Sequence, residues 1–182
     1  MWGLLLVALG LAGFIDYHRG VKLLAAARYG PITCRLPAGW LNATPVNADD
    51  RLVACVVEPG NNPDESRQLR IYCDEARTGE SVKEYLQLSE LPVAIGHFEE
   101  FDTGENAEIG STPALRLRQL AEVRTPDGQT QEVYPLTVLC AVLPNRLAVT
   151  VALEHASGAS SDADTSLIDA VARSINEVQV QK

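Results

Sequence analysis

The densest group of residues able to do chemistry is His97, Glu99, Glu100, Asp102, Glu105 and Glu108, gathered in the stretch Gly96–Gly110 (GHFEEFDTGENAEIG). Carboxylate oxygens with an imidazole suit a divalent cation, so this stretch offers a metal site and, through it, a metal-dependent sensor or enzyme. Against that stands the order of the residues. It lacks the Asp/Asn alternation and the closing Glu of a calcium loop, and an acidic run punctuated by glycine is ordinarily a solvated loop. Catalytic arrangements of familiar kinds do not occur: His18, His97 and His155 are scattered, and there is no GxSxG elbow, no HExxH and no nucleotide-binding glycine fingerprint. His155 beside Ser157 is a two-residue coincidence. The sequence therefore implies no catalytic residue and no cofactor.

A second group is cationic. Alternation along three apolar runs puts Arg35, Arg70, Arg116 and Arg118 on the side opposite Ile32, Ile71, Leu115 and Leu117, with Tyr72 beside Arg70. If those strands are neighbours, several guanidinium groups share one sheet surface, and their planar forks would take an anionic ligand or an acidic partner segment. The alternative is that each arginine pairs with a local carboxylate such as Asp74 or Glu122, or covers the sheet with its stem.

The four cysteines, Cys34, Cys55, Cys73 and Cys140, show no metal spacing, and all fall in strand-like runs. A hairpin symmetric about its loop would set Cys55 opposite Cys73. The two would form a disulfide in an exported domain, or remain buried reduced thiols in a cytosolic one; the absence of a basic signal n-region favours the reduced form. Trp2 and Trp40 read as packing and interface residues.

The elements that must position these residues can be read from periodicity. Pro31–Leu36 alternates as a half-buried strand. Arg51–Glu58 and Leu69–Asp74 make a hairpin around a turn-rich loop, and Ser81 with Glu84 forms a capping box that opens a short helix. Leu115–Arg124 and Glu132–Leu143 flank the turn Thr125-Pro126-Asp127-Gly128, and Pro144-Asn145 leads into Leu147–Glu154. Both alternating faces of Leu136–Val142 are apolar, which marks a central strand covered on each side. Leu167, Ile168, Val171 and Ile175 recur at helical spacing after Asp164, a plausible N-cap for a terminal helix.

This order of elements resembles the Mog1/PsbP-like fold, an α+β architecture in which a largely antiparallel sheet lies in an α/β/α sandwich. The resemblance covers residues 30–178. It is carried by Leu36-Pro37-Ala38-Gly39-Trp40 at the end of the opening strand, the hairpin that follows, the helix from Ser81, Gly110-Ser111-Thr112-Pro113-Ala114 leading into a strand, the paired strands around Cys140, and the terminal helix. It implies a binding or accessory scaffold and no common reaction, since the family includes photosystem subunits, a partner of a small GTPase and bacterial envelope proteins.

The chain ahead of that domain reads differently. Met1–Ile15 (MWGLLLVALGLAGFI) is an uncharged apolar run expected to form an N-terminal helix, with residues 1–29 as anchor and linker and 30–182 as the globular domain. Fifteen helical residues rise roughly 22 Å against a hydrocarbon core of about 30 Å, short for a span but suited to membrane association. A signal-like helix and a helix folded back on the domain are the alternatives. Arg19, Lys22 and Arg28 follow the run, which by the positive-inside rule prefers a cytoplasmic domain over an extracytoplasmic one. These three against Asp16 give +2, so the total of −9 leaves −11 on residues 30–182. An acidic domain excludes nucleic acid as a partner. What remains is a non-catalytic, membrane-tethered module that presents its sandwich to a protein partner, itself membrane-associated.

Overall fold

Two β-branched, apolar runs that meet across a polar loop form the first long hairpin: β4 (Leu52–Val57) pairs antiparallel with β5 (Gln68–Glu75). In chain order the strands are β1 (Ala27–Tyr29), β2 (Ile32–Cys34), β3 (Leu41–Asn42), β4, β5, β6 (Ala107–Ile109), β7 (Thr112–Arg124), β8 (Thr130–Val142), β9 (Leu147–Glu154) and β10 (Asn176–Glu177). Helix α1 (Val82–Leu88) follows β5, and helix α2 (Asp162–Arg173) follows β9. The computed structural model describes residues 21–44, 50–60, 66–88, 107–124, 130–154 and 162–178.

A seven-stranded sheet in the order β3-β4-β5-β9-β8-β7-β6 forms the middle layer, antiparallel throughout. β8 lies inside it as expected, with Leu136 through Ala141 all buried. One face is covered by α2 and by a small sheet, β1-β2-β10. Ile32 and Cys34 from that sheet, Leu36 just after it, and Leu167, Ile168, Val171 and Ala172 from α2 share a core with Leu69, Ile71, Leu139 and Val151. Burial of each large aliphatic side chain stabilises the layer by about 2 kcal/mol. The other face packs Tyr72, Leu117, Val138, Cys140 and Ala152 against Tyr85 and Leu86 of α1. The α/β/α sandwich is therefore the observed architecture. β7 and β8 remain paired beyond Leu136, where β9 ends at Glu154, so residues 119–124 and 130–135 continue as a two-stranded ribbon.

Local sequence accounts for the joints. The capping box is present: Ser81 N–H donates to Glu84 Oε2 at 2.8 Å and Glu84 N–H donates to Ser81 Oγ at 3.3 Å. α2 begins at Asp162, two residues before the expected cap; Asp164 lies within the first turn and is buried. β6 and β7 are joined by Gly110-Ser111. Gly110 has φ +60°, and a Cβ there would meet the Ile175 carbonyl oxygen at 2.6 Å, so a tight hairpin and a close layer contact both require glycine.

Two readings of the sequence are corrected. Residues 21–29, assigned to a linker, belong to the domain: β1 pairs with β2, Leu23 bridges to Pro37, and Val21 and Leu23 pack on the core. Cys55 does not face Cys73. The ladder pairs Cys55 with Arg70, which sets Cys55 on the α1 face and Cys73 on the α2 face. All four cysteines are buried free thiols. The physical reason is that Arg67 and Gln68, polar and taken for loop, begin the paired strand, and the resulting odd shift of register exchanges faces. A bulge between Leu52 and Ala54 adds to the asymmetry. Met1–Ile15, with its expected helix, lies outside the described residues. Among the described residues no helix is long and apolar enough to cross a membrane.

Candidate functional site

The α2 face opens beside the end of β2 into a cleft of about 400 Å³, walled by Val21, Pro37, Ala38, Trp40, Ala163 and Leu167, with Lys22 and Arg67 also lining it. Each wall has a local cause. Pro37-Ala38-Gly39 stops β2, and Gly39 turns at φ +85°, which brings the half-buried Trp40 back over the core. Ala38 N–H donates to the Lys22 carbonyl at 2.9 Å and Leu24 N–H to the Leu36 carbonyl at 2.8 Å, so the incoming chain is laid along the same wall.

Arg67 is the polar centre of this region. It is the cross-strand neighbour of Glu58 at the loop end of the β4–β5 hairpin, where Glu58 N–H donates to the Arg67 carbonyl at 2.9 Å. Its Nε and Nη2 donate to the two Glu58 carboxylate oxygens at 2.7 and 2.6 Å, and Nη1 donates to Asp164 Oδ1 at 2.6 Å. The guanidinium lies 5.5 Å from the Trp40 ring centroid. The hydrogen bonds that it donates to Glu58, and then to Asp164, hold its pKa above the ordinary value despite burial. Arg67 is thus committed to two carboxylates and has no charge left for an anionic ligand. Asp164 in turn occupies the first turn of α2 with a carboxylate of the chain's own. What this arrangement can do is receive apolar side chains beside a rim where Arg67 is neutralised by Glu58 and Asp164 and Lys22 supplies a cation.

The expected arginine surface is divided by the sheet. Arg116 and Arg118 share the α2 face: Arg116, 5% exposed, is ion-paired with Asp169, which also lies 3.5 Å from Arg173, and Arg118 donates to Thr165 Oγ1 at 3.4 Å. Arg70 and Tyr72 are on the α1 face. Arg70 is ion-paired with Glu154 at 3.0 Å and donates to Gln68 Oε1 at 3.0 Å. Burial works against the Arg70 charge, but Glu154, with Tyr72 and Cys55, keeps the group above its ordinary pKa. Burial raises the Tyr72 hydroxyl and the Cys55 thiol, partly countered by Arg70. Arg35 is in neither group; its Nε donates to the Leu24 carbonyl at 2.9 Å. The parity within each strand is right, yet Ile71 and Leu117 face opposite layers, so the four arginines never form one surface. Among the described residues Glu154 holds Arg70 and Asp169 holds Arg116, while Asp74 lies 3.5 Å from Arg51.

Burial pushes the thiols of Cys34, Cys73 and Cys140 up to about 12. His97, Glu99, Glu100, Asp102 and Glu105 lie outside the described residues. Sequence reasoning passed over Glu58 and Arg67, although their positions at the two ends of a turn-rich loop, with opposite charge, are the signal of a cross-strand pair.

No known sequence family matches this chain, and no curated protein matches it. Solved structures do. The Ran-binding protein Mog1p of Saccharomyces cerevisiae superposes over 86% of this chain and 96% of its own, at 15% identity and a TM-score of 0.57. A Mog1 point mutant covers 87% and 96%, at 15% identity and 0.54. LpqN of Mycobacterium tuberculosis, described as involved in cell envelope biogenesis, covers 89% and 95%, at 15% identity and 0.49. At this identity the likeness is one of architecture, and the architecture of this chain is the Mog1/PsbP-like fold.

Proposed function

We propose that this protein is a non-catalytic binding or accessory module, held at a membrane by residues 1–15, which receives an apolar segment of a protein partner in the cleft beside Trp40. The observation that carries this reading is the cleft: about 400 Å³ of preformed space, apolar walls, and a rim whose arginine is already neutralised by Glu58 and Asp164. Thiol nucleophiles at Cys34, Cys73 and Cys140 have little support here, because burial raises their pKa and keeps them protonated at neutral pH. A protein that shares this fold is a Ran-binding protein, which is in keeping with a binding role for the scaffold. The tether rests on the uncharged apolar character of Met1–Ile15 and on the basic residues that follow it.

The test is cross-linking of the tagged full-length protein in its native membrane fraction, comparing wild type with Trp40→Ala and Arg118→Ser. The expected result is a cross-linked species lost with Trp40→Ala and kept with Arg118→Ser, while both variants melt cooperatively. Loss with Arg118→Ser alone would move the partner site to the β7–α2 edge and overturn the cleft assignment. A wild-type protein that stays in the supernatant when membranes are sedimented would remove the tether.

A further inference from the structure

Residues 21–44, which supply Val21, Lys22, Pro37, Ala38 and Trp40 to the cleft, contain Lys22, Arg28 and Arg35 and no Asp or Glu. That is +3 on one stretch of a chain whose total is −9, so the other residues carry −12. Strand pairing keeps the stretch together: Arg28 lies opposite Thr33 in the β1–β2 ladder, Leu23 bridges to Pro37, and Arg35 Nε donates to the Leu24 carbonyl at 2.9 Å. One border of the cleft is therefore basic on an otherwise acidic protein.

The two cations that line the cleft differ in what they have left to offer. Arg67 spends Nε and Nη2 on Glu58 and Nη1 on Asp164. Lys22 is exposed, its carbonyl is held by the Ala38 N–H at 2.9 Å, and no carboxylate among the described residues pairs with its ammonium. Its backbone is fixed and its charge is available. An ammonium is a compact point charge with three donors, so it takes a single carboxylate of an incoming chain without demanding one orientation. The acidity of the whole domain does not cancel this, because charges are screened over about 8 Å at physiological ionic strength and a docked carboxylate responds to the rim rather than to the sum.

We infer that the partner segment is both apolar and acidic: an apolar side chain enters beside Trp40 while an Asp or Glu close by on the same segment pairs with Lys22. The inference rests on the cleft as the partner site and adds the chemistry of what the cleft receives. Charge complementarity selects this occupant. A second copy of the chain brings −9 of its own, and a basic segment sets like charge against Lys22. Burial of the apolar side chain supplies the affinity, and the exposed ion pair supplies selectivity and speed of encounter.

The test uses the full-length protein as wild type, Lys22→Glu, Trp40→Ala and Ala38→Trp, with short random peptides displayed on phage as the probe. Ala38 is an exposed wall residue, so Ala38→Trp fills the cleft without opening the core and stands beside Trp40→Ala should that variant melt early. Wild type is expected to enrich peptides in which apolar side chains adjoin Asp or Glu, the two cleft variants to lose them, and Lys22→Glu to select Lys or Arg around the same apolar residues. A synthetic peptide of the enriched sequence should bind Lys22→Glu about fivefold more weakly than wild type by fluorescence anisotropy, with the difference shrinking as salt is added. Replacing its acid by lysine should restore binding to Lys22→Glu. Enriched peptides that need Trp40 but show no excess of acid, or bind Lys22→Glu as well as wild type, overturn the acidic requirement and leave the cleft reading standing. Peptides retained by both cleft variants, or no enrichment by wild type, overturn the cleft reading and this inference with it.

Discussion

At the scale of single residues, the buried thiols and the Arg67 cluster make opposite demands on pH and charge. Cys34, Cys73 and Cys140 are held near 12 in the folded chain and return to about 9 on unfolding. Between those values the unfolded chain sheds protons that the folded chain keeps, so stability is fully present below pH 9 and falls as pH rises. The loss is roughly 4 kcal/mol per pH unit if all three thiols take part. Urea midpoints should therefore be level from pH 7 to 9 and drop steeply by pH 11; a level midpoint throughout contradicts the burial of these groups. At the cleft, Arg67→Ala leaves the Glu58 and Asp164 carboxylates facing each other and should cost about 2–3 kcal/mol, discounted for partial exposure. Asp164→Ala leaves Arg67 on Glu58 and should cost less, about 1–2 kcal/mol. Denaturant titration of the two variants and of the double variant measures the coupling directly. Of the acidic partners of Arg67, Glu58 left a signal in the sequence and Asp164 did not, because meeting Asp164 depends on a helix nearly a hundred residues away.

At the scale of elements, the joints can be broken one at a time. Gly110→Ala forces a Cβ toward the Ile175 carbonyl and strains a left-handed backbone, so a loss of about 1–3 kcal/mol is expected by thermal unfolding. Ser81→Ala removes one half of the capping box and should cost about 1 kcal/mol, measured the same way. The capping box, the long strands and the terminal helix were legible because each writes its own periodicity: Leu147–Glu154 is read to the residue, and Leu167, Ile168 and Val171 do face the core. Register and facing were not legible. In a sheet apolar on both sides, alternation says which residues share a face and not which layer covers that face, so Arg70 and Arg116 separated while obeying the same parity. The short strands β1, β3, β6 and β10 carry too few residues for any period. Their pairing is imposed by the core beneath them.

At the scale of the whole molecule, the cleft is a product of distance along the chain. Its walls come from residues near 21, near 38, from Arg67 and from the start of α2, and they meet only when the two halves of the sheet have joined through β5 and β9. β2 is likewise completed by β10, pairing Thr33 with Asn176, 143 residues later. Such non-local pairing must await most of the chain. Ribosome-stalled chains ending at Arg146, before β9, should be degraded by protease, whereas chains stalled on a spacer beyond Lys182 should yield a resistant core; resistance of the shorter chain would show that the halves fold separately. The pairing of β2 with β10 also orders events in time. During synthesis β2 leaves the ribosome long before β10 and the helix that walls the cleft exist, so its outer edge waits for the end of the chain, and the domain closes only afterwards.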